Sequence, residues 1–92
     1  SAHAGELDEV LSAALDRPAA ELDPVEKAVL HLGVYELLHH PEMPWRVVIN
    51  EAVEAARMFG AEESHKYING VMDRIARRVR ATEITAHYDA AE

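Results

Sequence analysis

Apolar residues recur along the chain at spacings of three and four, and the breaks between these runs predict four helices. In the first, from about Ala2 to Asp16, Leu7, Val10, Leu11, Ala14 and Leu15 share one face, and Arg17-Pro18 ends it. It starts abruptly at Ser1 with no persuasive N-cap, as a helix cut partway along would. The second begins at Asp23-Pro24-Val25-Glu26, where Asp23 suits the N-cap, Pro24 the first turn, and Glu26 the third helical position of a capping box. It runs to about His40, before Pro41. Val25, Ala28, Val29, Leu32 and Tyr35 form one apolar stripe and Leu30, Val34, Leu37 and Leu38 another, so this helix is expected to be central and packed on two sides. The short PEMP turn leads to a third helix over about Arg46 to Phe59, with Gly60 as its left-handed terminator. A fourth is expected from about Glu62 to Ala81, with Glu62 and Glu63 at its positive end. The segment TEITAHYDAAE, residues 82–92, reads as a flexible acidic tail.

The implied fold class is all-α, a small bundle of about four helices over residues 1–81. Three neighbours cannot cover both stripes of the second helix, so an apolar patch is expected there. A missing N-terminal part, a second copy in a homo-oligomer or domain swap, or a partner protein would each cover it.

Composition narrows the chemistry. Among 92 residues there is no cysteine, hence no disulfide and no thiolate nucleophile or ligand. No apolar run approaches the ~18 residues needed to cross a bilayer, and no signal segment opens the chain, so a cytoplasmic location is expected. A net charge of −8 speaks against a nucleic-acid partner. Its distribution speaks the other way. Residues 64–80 carry Lys66, Arg74, Arg77, Arg78 and Arg80 against Asp73 alone, while acidic residues dominate the rest. On a helical wheel Ile68, Val71, Met72, Ile75 and Val79 share one side, and Lys66, Tyr67, Gly70, Arg74, Arg77 and Arg78 the other.

Single-stranded RNA is held by stacking its bases on aromatic or guanidinium planes while basic groups meet the phosphates. A cationic face with one ring fits that chemistry. It fits a solvated basic face equally well, and spacing alone leaves both readings open. One stacked ring is worth about 1–3 kcal/mol, and the acidic remainder repels phosphate, so weak RNA affinity is expected of the chain alone.

Other constellations carry less. The six histidines show no ligand spacing such as H-E-x-x-H, and no metal site is expected. Glu36 falls within the first stripe of the second helix. It is expected to accept N–H groups from the start of the third helix, the alternative being a proton-transfer acid with no second carboxylate beside it. Asn50 and Asn69 could bond backbone or RNA. Gly70, costing about 1 kcal/mol against Ala in mid-helix, is expected where a neighbouring helix approaches closely. Ser64 and His65 are adjacent on a helix, point about 100° apart and cannot act as nucleophile and base. No phosphate loop or catalytic constellation is present, so neither enzyme activity nor a cofactor is implied.

Two runs carry a family resemblance: LDPVEKAVLHLGVYELL, from Leu22, and PWRVVINEAVEAARMFGAEESHKYINGVMDRIA, from Pro44 to Ala76. Their most telling parts are VINEA and the stretch from Phe59 to Val71. Together they resemble the C-terminal helical domain of the NusB transcription antitermination factors. The resemblance implies an all-α RNA-binding factor of bacterial transcription that holds boxA-type RNA together with the ribosomal protein NusE on ribosomal RNA operons. By position it implies RNA contacts at Lys66 and Tyr67; the helical wheel and side-chain chemistry add Arg74 and Asn69 as candidate RNA contacts on the same helix. It places Glu63 as an acidic residue beside the RNA and Glu26, at an exposed helix start, facing the ribosomal partner. The family's N-terminal subdomain, whose first helix is arginine-rich, has no counterpart in these residues. Similar domains also accompany ribosomal RNA cytosine methyltransferases, which keeps that reading open beside a helical protein-interaction domain that never meets RNA.

Overall fold

A computed structural model describes residues 2–60 and 62–91, with side chains at 5–60 and 63–90. The expected abrupt start at Ser1, the tail's end at Glu92 and the charge of Glu62 at a helix entry lie outside these described residues. Five α-helices follow in order among them: α1 (Ala2–Ala14), α2 (Pro24–His39), α3 (Trp45–Met58), α4 (His65–Val79) and α5 (Ala81–Ala91). Single 3-10 turns at Ala19–Glu21 and Glu62–Ser64 lead into α2 and α4.

The expected capping box starts α2. Glu26 N–H donates to Asp23 Oδ1 at 2.7 Å, and Asp23 N–H donates to Glu26 Oε1 at 3.0 Å. Helices α2, α3 and α4 pack on one another, and α1 lies across α2 and α4. Leu11, Leu30, Val34, Val48, Ile68, Val71, Met72 and Ile75 fill the centre. Gly60 takes a φ of 96° at the end of α3, the left-handed position expected of it.

Close helix approach occurs at a different glycine from the expected one. A Cβ placed on Gly33 would sit 2.5 Å from Met72 Cε, so α4 seats its methionine in the space that glycine leaves on α2. A Cβ on Gly70 would meet only Arg74 Nη1, at 3.9 Å. Gly70 therefore opens the outer face of α4 and does not admit a neighbouring helix.

The end of the chain also differs from expectation. The fourth helix stops at Val79, and residues 82–91, expected as part of a loose tail, belong to α5. Its anchors are Ile84, buried against the core, and Glu83. One apolar residue and one carboxylate leave no periodic stripe to read.

Arg80, at the joint, is 7% exposed and uses all five of its N–H donors. Nε donates to Leu37 O at 2.8 Å, and Nη2 donates to Glu36 O at 3.3 Å and His40 O at 2.9 Å. Nη1 donates to Met43 O at 2.8 Å and Glu83 Oε1 at 2.6 Å. The guanidinium thus gathers the carbonyls around the end of α2, of which Glu36 O and His40 O also accept backbone N–H groups, and sits at the negative pole of that helix.

Glu83 completes the arrangement by accepting from Trp45 N–H, at the uncapped start of α3, at 3.0 Å. This corrects the role expected of Glu36. Glu36 lies in a groove with Val29, Leu32, Gly33, Glu51, Ala52 and Ala55. There burial, then the charge of Glu51, pushes its carboxyl above the usual range, against a smaller pull from His40. The patch expected on α2 shrinks to this groove: Leu30, Val34 and Leu37 are buried, while Leu32 is 58% exposed.

Candidate nucleic-acid interface

The outer face of α4 carries two rows of side chains on either side of Gly70. Tyr67, Arg74 and Arg78 lean toward α1 and the segment after it. Arg74 Nε donates to Ala14 O at 3.1 Å, closing the last carbonyl of α1 as a cation at a helix C-terminus does. Arg78 lines a cleft of about 230 Å³ with Glu9, Val10 and Ala13. Tyr67 O–H donates to Asp16 Oδ1 at 3.3 Å, and the Arg17 guanidinium carbon lies 4.1 Å from the centroid of its ring. Contact with Tyr67 above all, helped by Glu26 and Asp16, raises the pKa of Arg17.

The other row begins at exposed Lys66 and continues at helical spacing through Asn69, Asp73 and Arg77. The last three line a groove of about 330 Å³ with Trp45, Arg46, Ile49, Asn50 and Tyr88. Arg77 Nε donates to Asp73 Oδ2 at 2.8 Å, and that pairing first, then Tyr88, raises the pKa of Arg77. The Arg46 guanidinium carbon is 5.1 Å from the Trp45 ring centroid.

The structure thus sorts the residues singled out from sequence. Tyr67 and Arg74 share one row, and Lys66 stands exposed on the adjoining edge of the helix. Asn69 faces the groove shared with Asn50. Glu63 is exposed in the turn that enters α4. Glu26 departs from expectation: it is 6% exposed, because its carboxylate bonds Asp23 N–H and lies 3.5 Å from Arg17 Nη2. Arg80, counted in the basic run, is buried and belongs to the fold. Arg17 and Asp16 were read from sequence as a helix end, yet they build the surroundings of Tyr67. Nothing in the local pattern marks them, because they meet α4 about fifty residues downstream.

Histidines pair singly, His31 with Asp8 at 2.8 Å and His40 with Glu42 at 2.9 Å. Among the described residues no group of three or more His, Asp or Glu is placed to hold a metal ion.

The model of the NusB family matches residues 1–77, from α1 through most of α4. The chain belongs to the NusB family. Similar to it are proteins named transcription antitermination protein NusB from several bacteria. That of Nitrosococcus oceani is 60% identical over 79 residues, 86% of this chain and 53% of the relative. That of Marinomonas sp. is 52% identical over 90 residues, 98% of this chain and 52% of the relative. That of Halorhodospira halophila is 60% identical over 82 residues, 87% of this chain and 53% of the relative. The chain thus spans about half the length of these NusB relatives. The NusB family match stops before Arg80 and α5.

Proposed function

We propose that the chain acts in bacterial transcription antitermination, binding boxA-type single-stranded RNA together with the ribosomal protein NusE on ribosomal RNA operons. The names of its relatives support the antitermination role. The observation that carries the RNA reading is the corner formed by Tyr67, Arg17 and Lys66 beside the bare backbone of Gly70. A stacked ring and guanidinium, with a lysine along the same helix, supply both a base platform and a phosphate contact. Arg74 anchors the end of α1 and fixes that platform from below. Asn69 offers a carboxamide on the neighbouring groove. Glu63, exposed at the entry to α4, weakens the phosphate contact by its charge.

Glu26 serves the NusE side indirectly, holding the start of α2 by its cap and holding Arg17 by its charge. The exposed Leu32 groove is the place for a protein neighbour, either a partner or a second copy of this chain. The role needs no cofactor and no catalytic group. It belongs to the cytoplasm, and no described helix is long and apolar enough to cross a membrane.

Fluorescence anisotropy of a labelled boxA-type RNA, titrated with this chain with and without NusE at two salt concentrations, tests the reading. Binding that falls with salt, tightens with NusE and weakens roughly tenfold in Tyr67→Ala is expected. Absence of binding at both salts, NusE included, would overturn it.

A further inference from the structure

The ring of Tyr67 is the obvious place for a base, yet the structure leaves little of it open. Tyr67 is half-buried and packs against the core, its hydroxyl is tied to Asp16, and Arg17 covers the ring at 4.1 Å. A base arriving from solvent meets the guanidinium before the ring. That guanidinium is held from several directions. One edge faces the Glu26 carboxylate at 3.5 Å, itself fixed by the capping box, and the guanidinium carbon lies 4.1 Å from the Tyr67 ring centroid. Pro18 narrows the backbone choices of Arg17. Its Nε is buried and has no hydrogen-bond acceptor. The side chain keeps 38% of its surface exposed.

We infer that Arg17 is the plane on which a base of the bound RNA stacks, with Tyr67 as the support beneath it. The inference rests on the RNA-binding reading above and names the contacting group within it. Guanidinium planes stack on nucleobases as they do on aromatic rings, and a base–arginine–tyrosine sandwich would add the attraction of the cation for two π-systems. Lysine has the charge and lacks the plane, so the substitution Arg17→Lys separates stacking from charge.

The test uses a boxA-type RNA carrying 2-aminopurine, whose fluorescence falls when the base stacks, titrated with the wild-type chain in the presence of NusE. Wild type is expected to quench the probe. Arg17→Lys should bind roughly tenfold more weakly with an unchanged salt slope and lose most of the quenching. Circular dichroism melting confirms that the variant is folded. Wild-type-like binding and quenching by Arg17→Lys would overturn the inference and leave the RNA-binding reading standing. Tighter binding by Arg17→Lys would also overturn it, making Arg17 a cover over the ring. No binding of any form, wild type included, would overturn both.

Discussion

Arg80 and Arg17 are both arginines beside a glutamate, and they have opposite fates. Arg80 lies in the chain's most basic stretch, yet it is buried with all five donors bonded, four of them to carbonyls around the end of α2. Arg17 lies between an aspartate and a proline, yet it holds an exposed plane over a ring. The difference lies in what the backbone left unsatisfied nearby. A helix end with orphan carbonyls draws a cation inward and saturates it. A turn beside an aromatic offers a guanidinium a face and little else. Counting charge along the sequence therefore overstates the cations available to a partner at one site and overlooks one at another.

Stability should separate the two arginines most strongly. Arg80→Met would take the side-chain donor from Leu37 O and Met43 O and the cation from Glu83, and a loss of about 3–5 kcal/mol is expected in urea denaturation at neutral pH. A loss below 1 kcal/mol would mean that water replaces the guanidinium there. Glu83→Gln keeps an acceptor for Trp45 N–H and loses the charge facing Arg80, at an expected cost of about 1 kcal/mol at pH 7. Burial alone would raise the Glu83 carboxyl, but the Trp45 N–H and then Arg80 outweigh it and hold its pKa below the ordinary 4.5. A group depressed on folding stabilises above its unfolded value and ceases to do so as pH falls through its folded value. The gap between wild type and Glu83→Gln, followed by thermal denaturation, should therefore be full above pH 4.5 and close below it. The smallest effect is expected at Arg17. Its pair with Glu26 is partly solvated, so Arg17→Ala should leave the melting temperature nearly unchanged while weakening RNA binding, the reverse of the pattern at Arg80.

Much of the architecture is legible in the sequence because it depends on neighbours a few residues apart. The capping box of Asp23 and Glu26, the left-handed Gly60 and the buried stripe of α4 are all of this kind. What stays hidden depends on partners far along the chain. Glu83 caps Trp45 across 38 residues, a role the local position of Glu36 seemed to claim. Gly33 admits Met72, although the mid-helix Gly70 drew attention first. The candidate interface divides in the same way. The helix and its Lys66 and Tyr67 follow from spacing and family resemblance. Arg17 does not, because a residue ending one helix shows nothing in sequence of the ring it will cover.

RNA is expected to meet this chain at the Arg17–Tyr67 corner of α4. Amide chemical-shift mapping of the isotope-labelled chain, titrated with boxA-type RNA in the presence of unlabelled NusE and compared with NusE alone, tests it most directly. RNA is expected to move the signals of Arg17, Lys66, Tyr67 and Gly70 first, leaving Arg80 and Ile84 in place. RNA-dependent shifts centred on the groove of Trp45, Asn50 and Tyr88, with the Arg17 corner still, would contradict it.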